Sequence, residues 1–98
     1  MNEEYTEIRI AREASFFPSL KDAAGVWPWN PELLDKWANE DIRTEAEKNS
    51  ARFILNLWEP ANQWKSGSFD PKRAIESWDL VHRKAFMDIK TVNVIMRS

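Results

Sequence analysis

Between Thr44 and Trp58 the apolar residues Ala46, Phe53, Ile54 and Leu57 form a stripe with Ser50. That i, i+4, i+7 rhythm is the mark of a helix that buries one face. Thr44 and Glu47 stand three apart at its start, the spacing of a capping box, and Pro60 prevents its extension. The same period recurs in the last third of the chain, through Ala74, Ile75, Trp78, Val81, Ala85, Phe86 and Ile89. Asp70 is placed to cap that helix, Pro71 to occupy its first position, and Asp79 to act as a second cap that splits it in two. A shorter helix over "PELLDKWA" takes Asn30 as cap and Pro31 at the first position, with Leu33, Leu34 and Trp37 as its apolar stripe. A break follows near Asn39 to Ile42.

Two segments read either way. From Glu3 to Ser15, the positions Tyr5, Ile8, Ala11 and Ser15 have helical spacing, yet "TEIRI" also alternates like a strand. The tail "TVNVIMRS" is rich in β-branched residues and reads as a short strand or an extended docked arm, with "TEIRI" as its only apparent partner. "SLKDAAG" reads as one short helix, capped by Ser19 with Asp22 three residues on, and ended by Gly25. The sum is an all-α fold, a compact orthogonal bundle of about four or five helices with the extended tail as an option, forming a single domain over residues 1–98.

An aromatic residue, a polar residue and a proline occur together three times: Trp29-Asn30-Pro31, Trp58-Glu59-Pro60 and Phe69-Asp70-Pro71. In the first and third the aromatic precedes a helix cap, where it can pack on Leu34 or Ala74 as a hydrophobic staple. Trp37 and Trp78 lie on apolar faces. These five aromatics therefore have a structural explanation in the core of a small domain. Trp27, before Pro28, and Trp64, in "ANQWKSG", lie on no helical stripe. Each reads as a lid over the core with its ring N–H in water, or as a recognition anchor.

Composition narrows the chemistry. The chain has no cysteine, so disulfides, thiol catalysis and Cys-based metal sites are excluded. That absence, an acidic start without a signal-peptide pattern and the lack of any long apolar run point to a cytoplasmic protein, not a membrane one. The two glycines are separated, which excludes Gly-rich phosphate loops. His82 is the single histidine and no metal cluster is expected. Asp79 lies one turn before it and Glu76 another, the minimum for an activated base, but no nearby serine carries a nucleophile motif. A satisfied boundary histidine is the simpler reading, and no cofactor is expected.

Net charge is −2, from −5 over residues 1–59 and +3 over residues 60–98. The pairs Lys72-Arg73 and Arg83-Lys84 would share one side of a continuous last helix and could meet an acidic partner, phosphate or the acidic half of the chain. A helix-turn-helix over residues 31–58 would lead with Glu45 and Glu47 where DNA should lie, which argues against nucleic acid. The expectation is a small non-catalytic interaction or accessory protein, binding a protein partner or itself as a homodimer. Its expected contacts are Trp27, Trp64, Lys72, Arg73, His82 and Arg83. The alternatives are a small-molecule-binding module with a Trp-lined pocket, and a small enzyme around Asp79 and His82 that needs a partner residue from another element. An origin on a mobile genetic element fits a small orphan domain, although no residue carries that expectation.

Overall fold

The computed structural model describes the backbone of residues 6–97 and the side chains of residues 6–93. Within them are five α-helices and one 3-10 turn: α1 (Glu7–Ala14), the 3-10 turn (Pro18–Leu20), α2 (Pro31–Ala38), α3 (Glu45–Trp58), α4 (Pro71–Ser77) and α5 (Leu80–Arg97). Among the described residues there is no strand. The Cα radius of gyration of 12.3 Å matches the ~13 Å of a compact chain of about 100 residues.

The starts follow the expected chemistry. Asn30 accepts from the Leu33 N–H at 3.2 Å, and Thr44 and Glu47 form a full capping box. Asp70 accepts from the Lys72 N–H at 3.0 Å. Trp78 is extended at φ −93° and ψ 142°, so the last apolar run breaks there. Asp79 restarts it by accepting from the His82 N–H at 2.9 Å. This break is why Ile75 and Val81 are exposed and not part of one buried stripe.

α3 is the central element, with α1, α2, α4 and the 3-10 turn packed on it. Alanines at the crossings, among them Ala11, Ala14, Ala38, Ala51 and Ala74, are buried and let the backbones approach. An aromatic cluster fills the space toward α5. Phe17 meets Phe53 edge-on at 5.9 Å, and Trp78 and Phe86 lie 5.3 Å apart. Fully burying a side chain of this kind contributes ~1.5–3 kcal/mol, so this cluster is a main source of stability in so short a chain. Trp78 keeps its ring N–H satisfied, donating to Ser50 Oγ at 3.0 Å. Trp29 packs edge-on against Trp58 at 5.4 Å, and Trp37 is buried beneath the Arg43 guanidinium at 4.2 Å.

Several local expectations are corrected. The tail from Thr91 to Arg97 continues α5 as helix, not strand or arm. Thr91 Oγ1 and Asn93 Nδ2 donate to carbonyls one turn back, at 2.9 and 2.8 Å. Asn93 also accepts from Arg9 of α1 at 3.0 Å. "TEIRI" is helical from Glu7, capped by Thr6, and its buried face is Ile10, Ala11 and Ala14, with Ile8 outside. The small alanines bring that face against α3, which Ile8 would hold away. Glu3, Glu4, Tyr5 and Ser98 lie outside the described residues. "SLKDAAG" forms only the 3-10 turn followed by further turns, because the Ser19 hydroxyl is bonded to His82 instead of capping a helix. Gly25 ends the segment at φ +90° as expected. Leu33 is exposed, and Leu34, Trp37 and Ala38 form the buried face of α2.

Candidate functional site

Trp64 stands in the loop between α3 and α4, residues 59–70, and two helices hold that loop from opposite sides. Asp35 on α2 is buried, and its carboxylate accepts from the Ser66 N–H at 2.8 Å and the Lys65 N–H at 3.0 Å. Arg52 on α3 donates from Nε to the Ser66 carbonyl at 2.7 Å and from Nη1 to Asn49 Oδ1 at 3.1 Å. Both polar groups of Ser66's backbone are thus fixed, one by an anion and one by a cation. Charge-assisted hydrogen bonds of this kind are the stronger ones. Gly67 completes the turn at φ +103°.

The clamped loop walls a groove of about 400 Å³ lined by Arg52, Asn56, Gln63, Trp64, Ser68 and Phe69, together with residues 60–62 and Gly67. Trp64 is half-buried against the core. Its ring N–H does not reach water as a lid would have it: Nε1 is shielded and meets no acceptor among the described residues. A second groove of about 460 Å³ lies on the other side of the clamp, against Glu32, Asp35, Lys36, Asn39 and Lys65.

His82 is buried between two partners. Asp79 Oδ1 lies 2.7 Å from Nδ1, and a carboxylate only accepts, so Nδ1 donates. The Ser19 backbone N–H points at Nε2 at 3.4 Å, so Nε2 accepts, and the Ser19 hydroxyl donates to it as well. The partner residue that catalysis around His82 would require is therefore present, and Ser19–His82–Asp79 has the connectivity of a nucleophile, base and orienting acid. Its surroundings are those of a clamp. Ser19's N–H is turned to the ring and is not free for an oxyanion. The Asp79 side chain is 68% exposed, and it also caps α5. The Asp79 carboxyl titrates below its ordinary value because the His82 N–H and then the His82 ring donate to it. The arrangement fastens the 3-10 turn to the first turn of α5.

Trp27 is 56% exposed and its Nε1 donates to Ser15 Oγ at 2.9 Å, at the end of α1. Trp27 is not among the residues that line the Trp64 groove. Lys72 and Arg73 are exposed on α4, while Arg83 on α5 donates to the Ile75 carbonyl at 3.0 Å. The break at Trp78 and Asp79 separates them, and the single basic side expected of one last helix is not formed. Beside His82, Phe16 and Val81 line a groove of about 250 Å³ with Lys84, Ala85 and Asp88.

Sequence reading missed Ser19, Asp35 and Arg52. The signal for Asp35 was a charge next to the buried face of an amphipathic helix. Arg52 offered a similar one, adjacent to Phe53. Among the described residues no group of three metal-ligating side chains occurs, and no helix is long and apolar enough to cross a membrane. No protein-family model, no curated protein sequence and no solved structure matches the chain.

Proposed function

We propose that the chain is a small non-catalytic interaction module whose contact surface is the outer face of α5, and that it pairs through this face with a second copy of itself. The observation that carries the reading is the apolar character of a solvent-exposed face. Leu80 is 79% exposed, Val81 59% and Met87 56%, with Phe16 at 43% beside them. Exposed apolar clusters of this kind on a small protein favour an interface.

The pattern on the helix argues for self-pairing. About position 86, Leu80 mirrors Val92, Val81 mirrors Thr91, and Lys84 mirrors Asp88. Two antiparallel copies of α5 related by a two-fold axis at that level would bring Lys84 of each copy to Asp88 of the other, with the apolar residues meeting at both ends. An isologous interface needs a patch that complements itself in this way. In the single chain Lys84 donates to its own Asp88 at 2.8 Å, so the two charges are already poised on the same face. Trp27, whose ring donates to Ser15 next to Phe16, is exposed as well.

Sedimentation across a wide concentration range tests the proposal. The expected result is a reversible monomer–dimer equilibrium that Val81→Glu abolishes without loss of helical circular dichroism. Lys84→Asp should weaken the dimer, and the double variant Lys84→Asp/Asp88→Lys should recover it. A wild-type monomer at every concentration, or a dimer indifferent to Val81→Glu, overturns it.

A further inference from the structure

We propose that the groove beneath the Trp64 loop is a binding site for a small carboxylate, with Arg52 as the group that receives it. Of the five N–H donors a guanidinium carries, two are used, by the Ser66 carbonyl and by Asn49 Oδ1. Both acceptors are neutral. Arg52 forms no ion pair among the described residues, although its side chain is half-buried. A partly desolvated cation without a counter-ion is a standing cost that an anion would relieve.

The surroundings suit that anion. The two bonds fix the plane of the guanidinium, so its orientation need not be ordered on binding. Gly67 leaves Nη2 uncovered, at the point where a Cβ would lie 3.4 Å away. Asp35 holds the Ser66 N–H, in the peptide just before the one whose carbonyl Arg52 holds, which keeps the wall rigid. Trp64 and Phe69 offer an apolar wall, while Asn56, Gln63 and Ser68 supply polar groups. The volume of about 400 Å³ falls within the range of small-ligand pockets, which combine an apolar lining with a few placed polar groups. A carboxylate fits the fork of the guanidinium, and a planar or aromatic body behind it fits the tryptophan wall. The proposal is independent of α5 pairing, since it uses neither the residues nor the face of the proposed dimer.

The test is titration of the full chain by two-dimensional NMR with benzoate and, in parallel, benzamide, its uncharged counterpart. Benzoate should give saturable shifts of the Arg52 Nε–H, the Trp64 indole N–H and the Gly67 amide, while benzamide should bind at least about tenfold more weakly. Arg52→Gln should reduce benzoate binding by a similar factor. Acetyl-phenylalanine and its amide form the second arm. Acid binding well above benzoate identifies a peptide C-terminus as the source of the carboxylate, and the reverse order identifies a free small acid. No saturable shift by about 10 mM benzoate, or equal binding of benzamide, overturns the proposal. The comparison of acid with amide uses the unaltered chain, so it decides the question even if Arg52→Gln does not fold.

Discussion

Replacing Asp35 by alanine removes the anion side of the Trp64-loop clamp, and the structure sets the size of the effect. Asp35 is 7% exposed and holds two backbone N–H groups at 2.8 and 3.0 Å. The two losses are unequal. Lys65 is exposed, so its N–H turns to water. Ser66 is buried, so its N–H is stranded at a cost of ~1–3 kcal/mol, and the bond it loses to a charged acceptor was itself worth ~1.5–3 kcal/mol. These figures overlap, and the combined loss is about 3 kcal/mol, a large part of the stability of a short domain. If the loop opens only with the whole molecule, Tm should fall by roughly 10–25 °C. If the loop opens by itself, the fall is smaller and the loss is confined to residues 64–67. Amide hydrogen exchange tests the clamp in both cases, because Ser66 protection must drop by about two orders of magnitude in either, and it separates them by whether the loss spreads beyond residues 64–67. Asp35→Asn should do nearly as much harm, since its amide turns a donor toward one of the two N–H groups. Unchanged Ser66 exchange in Asp35→Ala, within a factor of about three, would refute the clamp.

Two further outcomes follow from the same reasoning. Gly25 and Gly67 both lie at positive φ, so alanine at either costs ~1–2 kcal/mol for the left-handed backbone. At Gly67 the atoms nearest the added Cβ belong to the Arg52 side chain, at ordinary contact distance, whereas at Gly25 it falls on the Asn30 carbonyl and lies 2.5 Å from the Leu34 nitrogen. Gly25→Ala must therefore displace the cap of α2 and should lower Tm at least about twice as far as Gly67→Ala; equal losses in a thermal melt would contradict this. Acid is the other lever. The Glu47 carboxyl is lowered because the Thr44 N–H donates to it, and Asp79 because the His82 N–H does. A carboxyl lowered by folding adds stability that is complete above its unfolded pKa and is lost as pH falls through the folded one. Urea midpoints should hold steady from neutrality to about pH 5 and then decline below about pH 4, and Glu47→Gln and Asp79→Asn should each flatten that decline.

How much of this was legible depends on whether a residue's partner is near it in the chain. Asn30, Thr44, Glu47, Asp70 and Asp79 act on N–H groups two or three residues away, so spacing alone located four helix starts and the break between α4 and α5. The buried faces were legible only in part, because periodicity finds a stripe but not the neighbour that decides its centre. Ile8 and Ile10 are equally apolar, and only the approach of α3 selects Ile10. The candidate sites were least legible. Ser19 and His82 are 63 residues apart, and Asp35 and Ser66 are 31 apart. Nothing local distinguishes Arg52 from other cations on amphipathic helices. Yet one of the two tryptophans that no helical stripe could absorb, Trp64, did mark its loop. A large aromatic between polar residues must be held by something distant, and here Asp35 and Arg52 do the holding. The unplaced residue was therefore the informative one: Trp64 pointed to a groove, and the groove exposed the unpaired cation behind it.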